Sequence, residues 1–460
     1  MSIKSINPYT LETLKIFEEI SDAQAEKAID VAHEAYKDWK KTSFKERAIL
    51  LNKIASTFRL KKKELSEMIT NEMGKLIGQS EYEIEYCANI FEYYAENGAE
   101  FLADKKVVTD VGEAFLTKAP IGVILAVEPW NFPFYQVARV VAPNLMIGNT
   151  IILKHSSNVP QCAQAFQDIF TEIDAPKGIY TNLFLSSEKI KKVIENPKIE
   201  GACLTGSENA GASLAEIAGK NIKKTVLELG GSDPFIVLDD ANIDRATDLA
   251  IKGRMVNNGQ SCVASKRFIV MEEVADEFLE KFTKKMEALQ LGDPMDANTQ
   301  LGPLSSQDAL DNLLEQVNTT VKQGARIVTG GKQADLKGAF MQPTILTDIK
   351  PDMLAYQEEL FGPVASFYRV KTEEEAIKLG NVTRFGLGSS IFSKDIERAK
   401  KMAHQIDSGM VFINQPTKSN EKLPFGGTKR SGYGRELSAL GIDEFINKKL
   451  IHAVTETDKI

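Results

Sequence analysis

Cys262 stands in the stretch Asn257-Asn258-Gly259-Gln260-Ser261-Cys262-Val263-Ala264-Ser265-Lys266, among small and polar residues where a packing cysteine would be out of place. A thiol there can pack, bind a metal, form a disulfide or attack a substrate. Attack needs the thiolate, which a helix terminus or a nearby cation would favour. Glu228 closes the run Lys223–Glu228 and is followed by Leu229-Gly230-Gly231. A carboxylate just ahead of two glycines leaves room for close approach. It suits a general base, and equally an acid paired with a lysine. Asn131 lies in Glu128-Pro129-Trp130-Asn131-Phe132-Pro133, directly after the apolar run 122–127. Its amide could donate to an oxyanion, or it could be a turn former beside a packing Trp130.

Three other stretches could meet a nucleotide. Lys154 ends the run Ile151-Ile152-Leu153 and precedes His155-Ser156-Ser157, so its cation could reach a ribose or phosphate, or be a solvated charge. Leu204-Thr205-Gly206-Ser207 ahead of a helical pattern could offer backbone N–H groups to a phosphate. It is not G-x-G-x-x-G, and one glycine also suits an ordinary turn. Glu358-Glu359-Leu360-Phe361-Gly362-Pro363 joins carboxylates, an aromatic ring and a rigid exit, or is a loop before a buried strand.

The remaining thiols and imidazoles narrow the choices for Cys262. Cys87, Cys162 and Cys203 are scattered with no C-x-x-C, and His33, His155, His404 and His452 form no H-E-x-x-H. A disulfide framework and a local metal motif are therefore both disfavoured, and no metal is expected.

The elements that must hold these residues read as α/β. Ser21-Asp22-Ala23-Gln24 and Ser43-Phe44-Lys45-Glu46 fit capping boxes, and the first hundred residues read as mostly helical. Residues 104–120 suggest short strands or a hairpin. From residue 121, short β-branched runs alternate with helical stretches at 134–147, 160–173, 187–196, 207–220 and 272–290, the rhythm of βαβ units in largely parallel sheets. The chain has 460 residues and ordinary globular composition, with 43% hydrophobic and 26% charged. That supports two α/β domains, split near residue 230. A net charge of −8 with interspersed signs gives no basic stripe for nucleic acid. The N-terminus lacks a secretory pattern, and the apolar runs fall far short of the roughly 20 residues that span a bilayer. The expectation is a cytoplasmic protein with neither membrane nor nucleic-acid partners.

Taken in order, EPWNFP, LTGS, LELGG, NNGQSC, QEELFGPV and LPFGGTKRSGYGRE (423–436) resemble the motifs of the aldehyde dehydrogenase superfamily over nearly the whole chain. The text is most similar to bacterial succinate-semialdehyde dehydrogenases. The resemblance implies a Rossmann-type cofactor domain (1–103 and 119–229), an α/β catalytic domain (230–430) and a small β oligomerisation arm (104–118 and 440–460). It also implies a homodimer or homotetramer. Cys262 matches the nucleophile that forms a thiohemiacetal and then a thioester. Asn131 matches the oxyanion donor, together with the Cys262 N–H. Glu228 matches the general base for hydrolysis, and its presence argues against acyl transfer to coenzyme A.

For the cofactor, the resemblance implies contacts from Trp130, Lys154, Ser157, Gly206, Ser207, Glu359 and Phe361. Many NAD-using members carry Glu where this chain has Ser157. NAD or NADP is expected, with NADP accepted and a preference for it left open. Arg139, eight residues after Asn131, would lie on the tunnel helix and hold the far carboxylate of a semialdehyde, or be an ordinary surface arginine. Some of these enzymes carry a second arginine at the position of Val256. Carboxylate binding here would then rest on Arg139, with Ser419, Lys418 or Arg254 as helpers. The expected substrate is succinate semialdehyde. A broad or betaine-type aldehyde dehydrogenase, a non-catalytic binding protein of the same fold and a cysteine hydrolase are the competing readings. Ala264 stands where some relatives carry a second cysteine, so an intrachain disulfide at Cys262 is not expected.

Overall fold

The computed structural model describes residues 2–456, so the last residues of the expected arm, 457–460, lie outside it. A six-stranded sheet runs in the order Gly432–Tyr433, Lys224–Glu228, Ile199–Thr205, Val123–Glu128, Thr150–His155, Tyr180–Asn182. All its strands are parallel except Gly432–Tyr433. From Val123–Glu128 the chain adds strands on one side, then returns to place Ile199–Thr205 on the other. That reversal opens a crevice at the carboxyl ends of these two strands, the usual ligand site of an open α/β sheet. Val123–Glu128 and Thr150–His155 are buried almost throughout, as strands covered on both faces must be.

The second sheet has seven strands, in the order Arg326–Thr329, Thr344–Thr347, Val364–Val370, Ser265–Met271, Asp233–Val237, Ser390–Phe392, Phe412–Ile413. The chain leaves the first sheet at Glu228 and enters the second at Asp233. The carboxyl edge of one sheet therefore faces the amino edge of the other. A third sheet pairs Ile446–Ala453, Glu113–Pro120 and Lys105–Val107 antiparallel, with Leu116 opposite Leu450.

Sequence patterning places most elements correctly, and its misses have causes. Both capping boxes form, with Ser21 accepting from Gln24 N–H and Ser43 from Glu46 N–H. The opening segment is not helical. Ser2–Ile6 and Thr13–Glu18 make a β-hairpin whose second strand is almost wholly exposed, so little hydrophobic alternation marks it. The stretch 187–196 splits into a short 3-10 turn, Ser187–Lys189, and the helix Ile190–Glu195.

One helix matters most for function. Tyr135–Ile147 is buried at every position and contains Pro143. Pro143 removes one helical hydrogen bond, so tertiary contacts must hold the helix. At its amino end the Glu83 carboxylate accepts the N–H groups of Phe134 (2.9 Å) and Tyr135 (3.0 Å). At its carboxyl end the buried Arg47 guanidinium donates to the carbonyls of Met146 (3.1 Å) and Ile147 (2.6 Å). Each charge has the sign that the helix dipole favours at that end. Phe134 also packs edge-on against Phe58, with ring centroids 6.1 Å apart. The helix is thereby fixed at both ends and along its length.

Candidate active site

The short turn Val256–Gly259 delivers Cys262 to the amino end of the strand Ser265–Met271. Asn257 and Asn258 both adopt left-handed backbone, at φ 52° and 55°, a conformation that asparagine tolerates better than most residues. Their side chains hold the turn in place. Asn257 Nδ2 donates to the carbonyls of Asn131 (2.6 Å) and Gln260 (3.0 Å), and Asn258 Nδ2 to those of Gly74 (2.8 Å) and Pro303 (3.0 Å). A Cβ on Gly259 would lie 2.3 Å from the Gly362 carbonyl carbon. Arg254 is fully buried and donates to the carbonyls of Gly259 (2.5 Å) and Ser265 (3.1 Å). Its role is to brace the turn, and it does not line the substrate cavity as the sequence reading had allowed.

Cys262 is half-buried in a backbone turn, with no helix amino terminus behind it. Burial pushes its thiol up to about 12, while Lys266 and Arg139 pull it down and Glu359 and Glu228 oppose them. Burial thus favours the thiol form of Cys262, and the turn offers no helix terminus to favour its thiolate. The other three cysteines are buried and, like Cys262, unbridged, and Ala264 is buried beside the nucleophile.

Asn131 is oriented unambiguously. Its Oδ1 accepts from Gln136 Nε2 (3.0 Å), so Nδ2 faces the Gln260 carbonyl at 3.0 Å. An amide carries two N–H donors, which leaves one for an oxyanion. The Cys262 N–H has no acceptor among the described residues. Asn131 Nδ2 and the Cys262 N–H thus each keep a donor that no described residue takes up.

Glu228 ends its strand as a buried carboxyl whose oxygens have no hydrogen-bond partner. Burial raises its pKa well above the usual carboxylate range. Glu436 adds to the rise, and Arg139 and Arg435 oppose it. A Cβ on Gly426 would lie 2.7 Å from Glu228 Oε1, so this glycine gives the carboxyl its space.

Arg139 is buried, which removes the surface-arginine alternative. Its Nε forms an ion pair with Glu436, Nη1 donates to Tyr135 Oη (3.3 Å) and Nη2 to Thr205 Oγ1 (3.1 Å). Its guanidinium also lies over the Phe425 ring, 4.7 Å from the centroid. Three carboxyls, Glu128, Glu228 and Glu436, share this one cation, and burial raises the pKa of each.

A cavity of about 320 Å³ opens onto Cys262. Arg139, Val256, Ser419, Tyr135, Lys252, Lys418 and Glu83 line it. Tyr135 Oη donates to Ser419 Oγ at 2.8 Å, which ties the Ser419 loop to the tunnel helix.

On the other side of Cys262 lies the carboxyl edge of the first sheet. Trp130 and Phe361 meet edge-to-face, with centroids 5.8 Å apart. Glu359 Oε1 pairs with Lys266 Nζ (3.0 Å) and accepts Gly231 N–H (3.2 Å). Lys154 is buried and has no hydrogen-bond or ion-pair partner among the described residues, and burial depresses its pKa. Ser157 is exposed and neutral nearby in sequence. Ser207 uses its hydroxyl to cap the helix Glu208–Lys220 through Ala210 N–H (3.3 Å), and Gly206 N–H donates to the Glu228 carbonyl (3.0 Å).

Sequence reading missed Glu436, Lys266 and the Lys75–Glu83 ion pair. Glu436 sits inside the quoted motif SGYGRE, and its pairing with Arg139 spans most of the chain length. Lys266 follows Cys262 by four residues, a spacing with no meaning until the turn closes on it. Lys75 and Glu83 are eight apart, beyond the i+3 or i+4 reach of an ion pair within one helix, and Lys75 lies in the loop before the helix Ile77–Phe101.

The chain matches the aldehyde dehydrogenase family over residues 1–451. A succinate-semialdehyde dehydrogenase [NADP(+)] of Deinococcus radiodurans is 48% identical over 455 residues, 99% of this chain and 95% of that protein. A probable succinate-semialdehyde dehydrogenase [NADP(+)] of Synechocystis is 45% identical over 451 residues, covering 98% of this chain and 99% of its own. Among solved structures, succinic semialdehyde dehydrogenase from Streptococcus pyogenes in complex with NADP+ superposes with a TM-score of 0.97 at 45% identity, covering 98% of this chain and 100% of that one. With a buried carboxyl, an oriented amide and a thiol gathered at one seam, and with this likeness along nearly its full length, the chain belongs to the aldehyde dehydrogenase family.

Proposed function

We propose that this chain oxidises a carboxylate-bearing aldehyde, succinate semialdehyde foremost, to the acid with NADP as electron acceptor. The observation that carries the substrate class is the charge of the cavity beside Cys262. Arg139, Lys252 and Lys418 line it, and the one carboxylate in the lining, Glu83, is already paired with Lys75. Such a lining attracts an anionic aldehyde and repels a betaine-type cation. A guanidinium has five N–H groups, and the contacts of Arg139 to Glu436, Tyr135 and Thr205 use three. The remaining two can take a carboxylate without releasing Glu436. The names of the Deinococcus, Synechocystis and Streptococcus relatives support the same substrate and cofactor.

The residues fit the cofactor. Lys154 is a buried cation without a partner among the described residues, and Ser157 puts no negative charge beside it. A 2′-phosphate would meet attraction and no repulsion there. Trp130, Phe361, Glu359, Gly206 and Ser207 are the other residues that would hold it. Ser207 contributes through its place at the helix amino terminus, since its hydroxyl caps the helix.

The chemistry follows from the side chains. Cys262 gives up its proton to solvent water as Sγ adds to the aldehyde carbon, and the carbonyl oxygen takes the negative charge between Asn131 Nδ2 and the Cys262 N–H. When bound, NADP supplies the hydride acceptor that converts the adduct to a thioester. Glu228, as carboxylate, then takes a proton from the water that attacks the thioester, and the acid leaves with the thiol restored. Burial raises the pKa of both Glu228 and Cys262, so their active forms grow as pH rises.

We also propose the division 1–103 with 119–229, 230–430, and an arm of 104–118 with 440–460, and assembly through that arm as a homodimer or homotetramer. The strand Ile446–Ala453 supports this reading, because all but its first residue are exposed, Leu450 and Ile451 included. No helix among the described residues is long and apolar enough to cross a membrane. A cytoplasmic site is part of this reading, and four unbridged cysteines accord with it.

Glu228→Gln should release about one reduced cofactor per site in a rapid burst and then slow by about 100-fold or more, as thioester accumulates. In the unaltered enzyme, steady-state kcat should keep rising as pH is raised through neutrality into the alkaline range, because the base and the thiolate both appear on the alkaline side. Ser157→Glu should shift the ratio of kcat/KM for NADP over NAD by at least about tenfold toward NAD. Lys252→Gln/Lys418→Gln should lower kcat/KM for succinate semialdehyde about threefold to tenfold at low salt and leave butanal unaffected. An equal loss on both aldehydes would remove the charge-based reading of the cavity.

A further inference from the structure

Lys266 is 2% exposed, and its ammonium touches both halves of the site. Nζ donates to the carbonyls of Ser261 (2.8 Å) and Cys262 (2.8 Å) and reaches that of Ala264 at 3.4 Å. The same Nζ pairs with Glu359 Oε1 at 3.0 Å and lies 6.0 Å from the Phe361 ring centroid. One buried cation therefore closes the backbone turn that presents the nucleophile and also neutralises a carboxylate assigned above to the cofactor. No sequence motif announces this, and the residue has no part in the chemistry as so far described.

We propose that Lys266 is a positioning residue that tunes the reactivity of Cys262 and links it to engagement of Glu359 by the cofactor. Its contacts with the carbonyls of residues 261, 262 and 264 fix the turn, so that Sγ and the Cys262 N–H keep their mutual orientation. Its charge acts on the thiol from inside the same turn, since Nζ stands 2.8 Å from the Cys262 carbonyl oxygen and is itself buried, where a full charge is weakly screened. Glu359 offsets part of that charge at rest. When ribose hydroxyls donate to Glu359, its negative charge is shared with them and more of the Lys266 field falls on Cys262. The groups that face the thiol agree with this picture. Lys266 and Arg139 favour its ionisation, Glu359 and Glu228 disfavour it, and burial is the largest opposing effect. The link to the cofactor rests on the reading of Glu359 given above, whereas the effect of Lys266 on the thiol does not.

The test is the rate of Cys262 alkylation by iodoacetamide across pH, with the modified site read by mass spectrometry, in the full-length protein with and without NADP. Without cofactor, Lys266→Met should react at least about tenfold more slowly near neutral pH, since one pKa unit is tenfold in thiolate. Glu359→Gln should react faster than the unaltered protein, and it serves as the deciding variant if Lys266→Met does not fold. Saturating NADP should raise the rate of the unaltered protein relative to that of Glu359→Gln, because steric shielding by the cofactor acts on both alike. Cofactor-free rates unchanged in both variants, or in Glu359→Gln alone if Lys266→Met does not fold, would overturn the role of Lys266. An identical NADP effect in the unaltered and Glu359→Gln proteins would overturn the coupling. Fluorescence titration of NADP onto the unaltered protein separates these outcomes from failure of the cofactor reading, since absent binding would count against that reading alone.

Discussion

The site depends on the passage of the chain through Gly230 and Gly231. A Cβ at Gly231 would stand 2.5 Å from the Cys262 carbonyl oxygen, and one at Gly230 would stand 2.6 Å from Glu359 Oε2. Neither glycine is held in left-handed backbone, so space is what these positions require, and conformational freedom is not. Because this crossing is so tight, the carboxyl edge of the first sheet meets the amino edge of the second. Asn131 and Glu228 come from the first edge, and Cys262 and Lys266 from the second. The groups gathered there need no long loops to find one another, and Arg254, Asn257, Asn258 and Lys266 together brace the turn holding Cys262.

Bringing two sheet edges together also buries charge. Arg139 sits amid Glu128, Glu228 and Glu436, and it forms an ion pair only with Glu436. A carboxylate deprived of water and of a partner holds its proton. Burial and the lack of a partner accordingly favour the neutral form of Glu228, and its carboxylate grows as pH rises. Arg139 does double duty, since the guanidinium that moderates these carboxyls also lines the substrate cavity. Its truncation would disturb both, which is why the exposed Lys252 and Lys418 are the cleaner probes of substrate charge.

Much of this could be read from the sequence, and the reason differs from residue to residue. Cys262, Glu228 and Asn131 are legible because each sits in a short stretch whose turn formers and glycines exist to present it. The capping boxes at Ser21 and Ser43 are legible because capping is local. The hairpin at Ser2–Glu18 escapes because its second strand faces solvent and carries little apolar alternation. Glu436, Lys266, the Lys75–Glu83 pair and the bracing role of Arg254, expected instead as a substrate contact, escape for another reason. Each takes its meaning from a contact that exists only after the chain has closed, and a charged residue in sequence reads as a surface charge by default. The same default made Arg139 look ambiguous until its burial was known. Even Cys262 was only partly legible, because its environment raises its pKa where the motif suggested a ready thiolate.

The most direct measurement is kcat/KM of the unaltered enzyme for succinate semialdehyde, butanal and betaine aldehyde, each with NADP and with NAD, followed by reduced-cofactor absorbance. The structure leads us to expect the highest value for succinate semialdehyde with NADP, at least about tenfold above butanal with the same cofactor. Equal or better oxidation of the neutral or cationic aldehyde, or at least about tenfold higher kcat/KM with NAD than with NADP, would contradict the account.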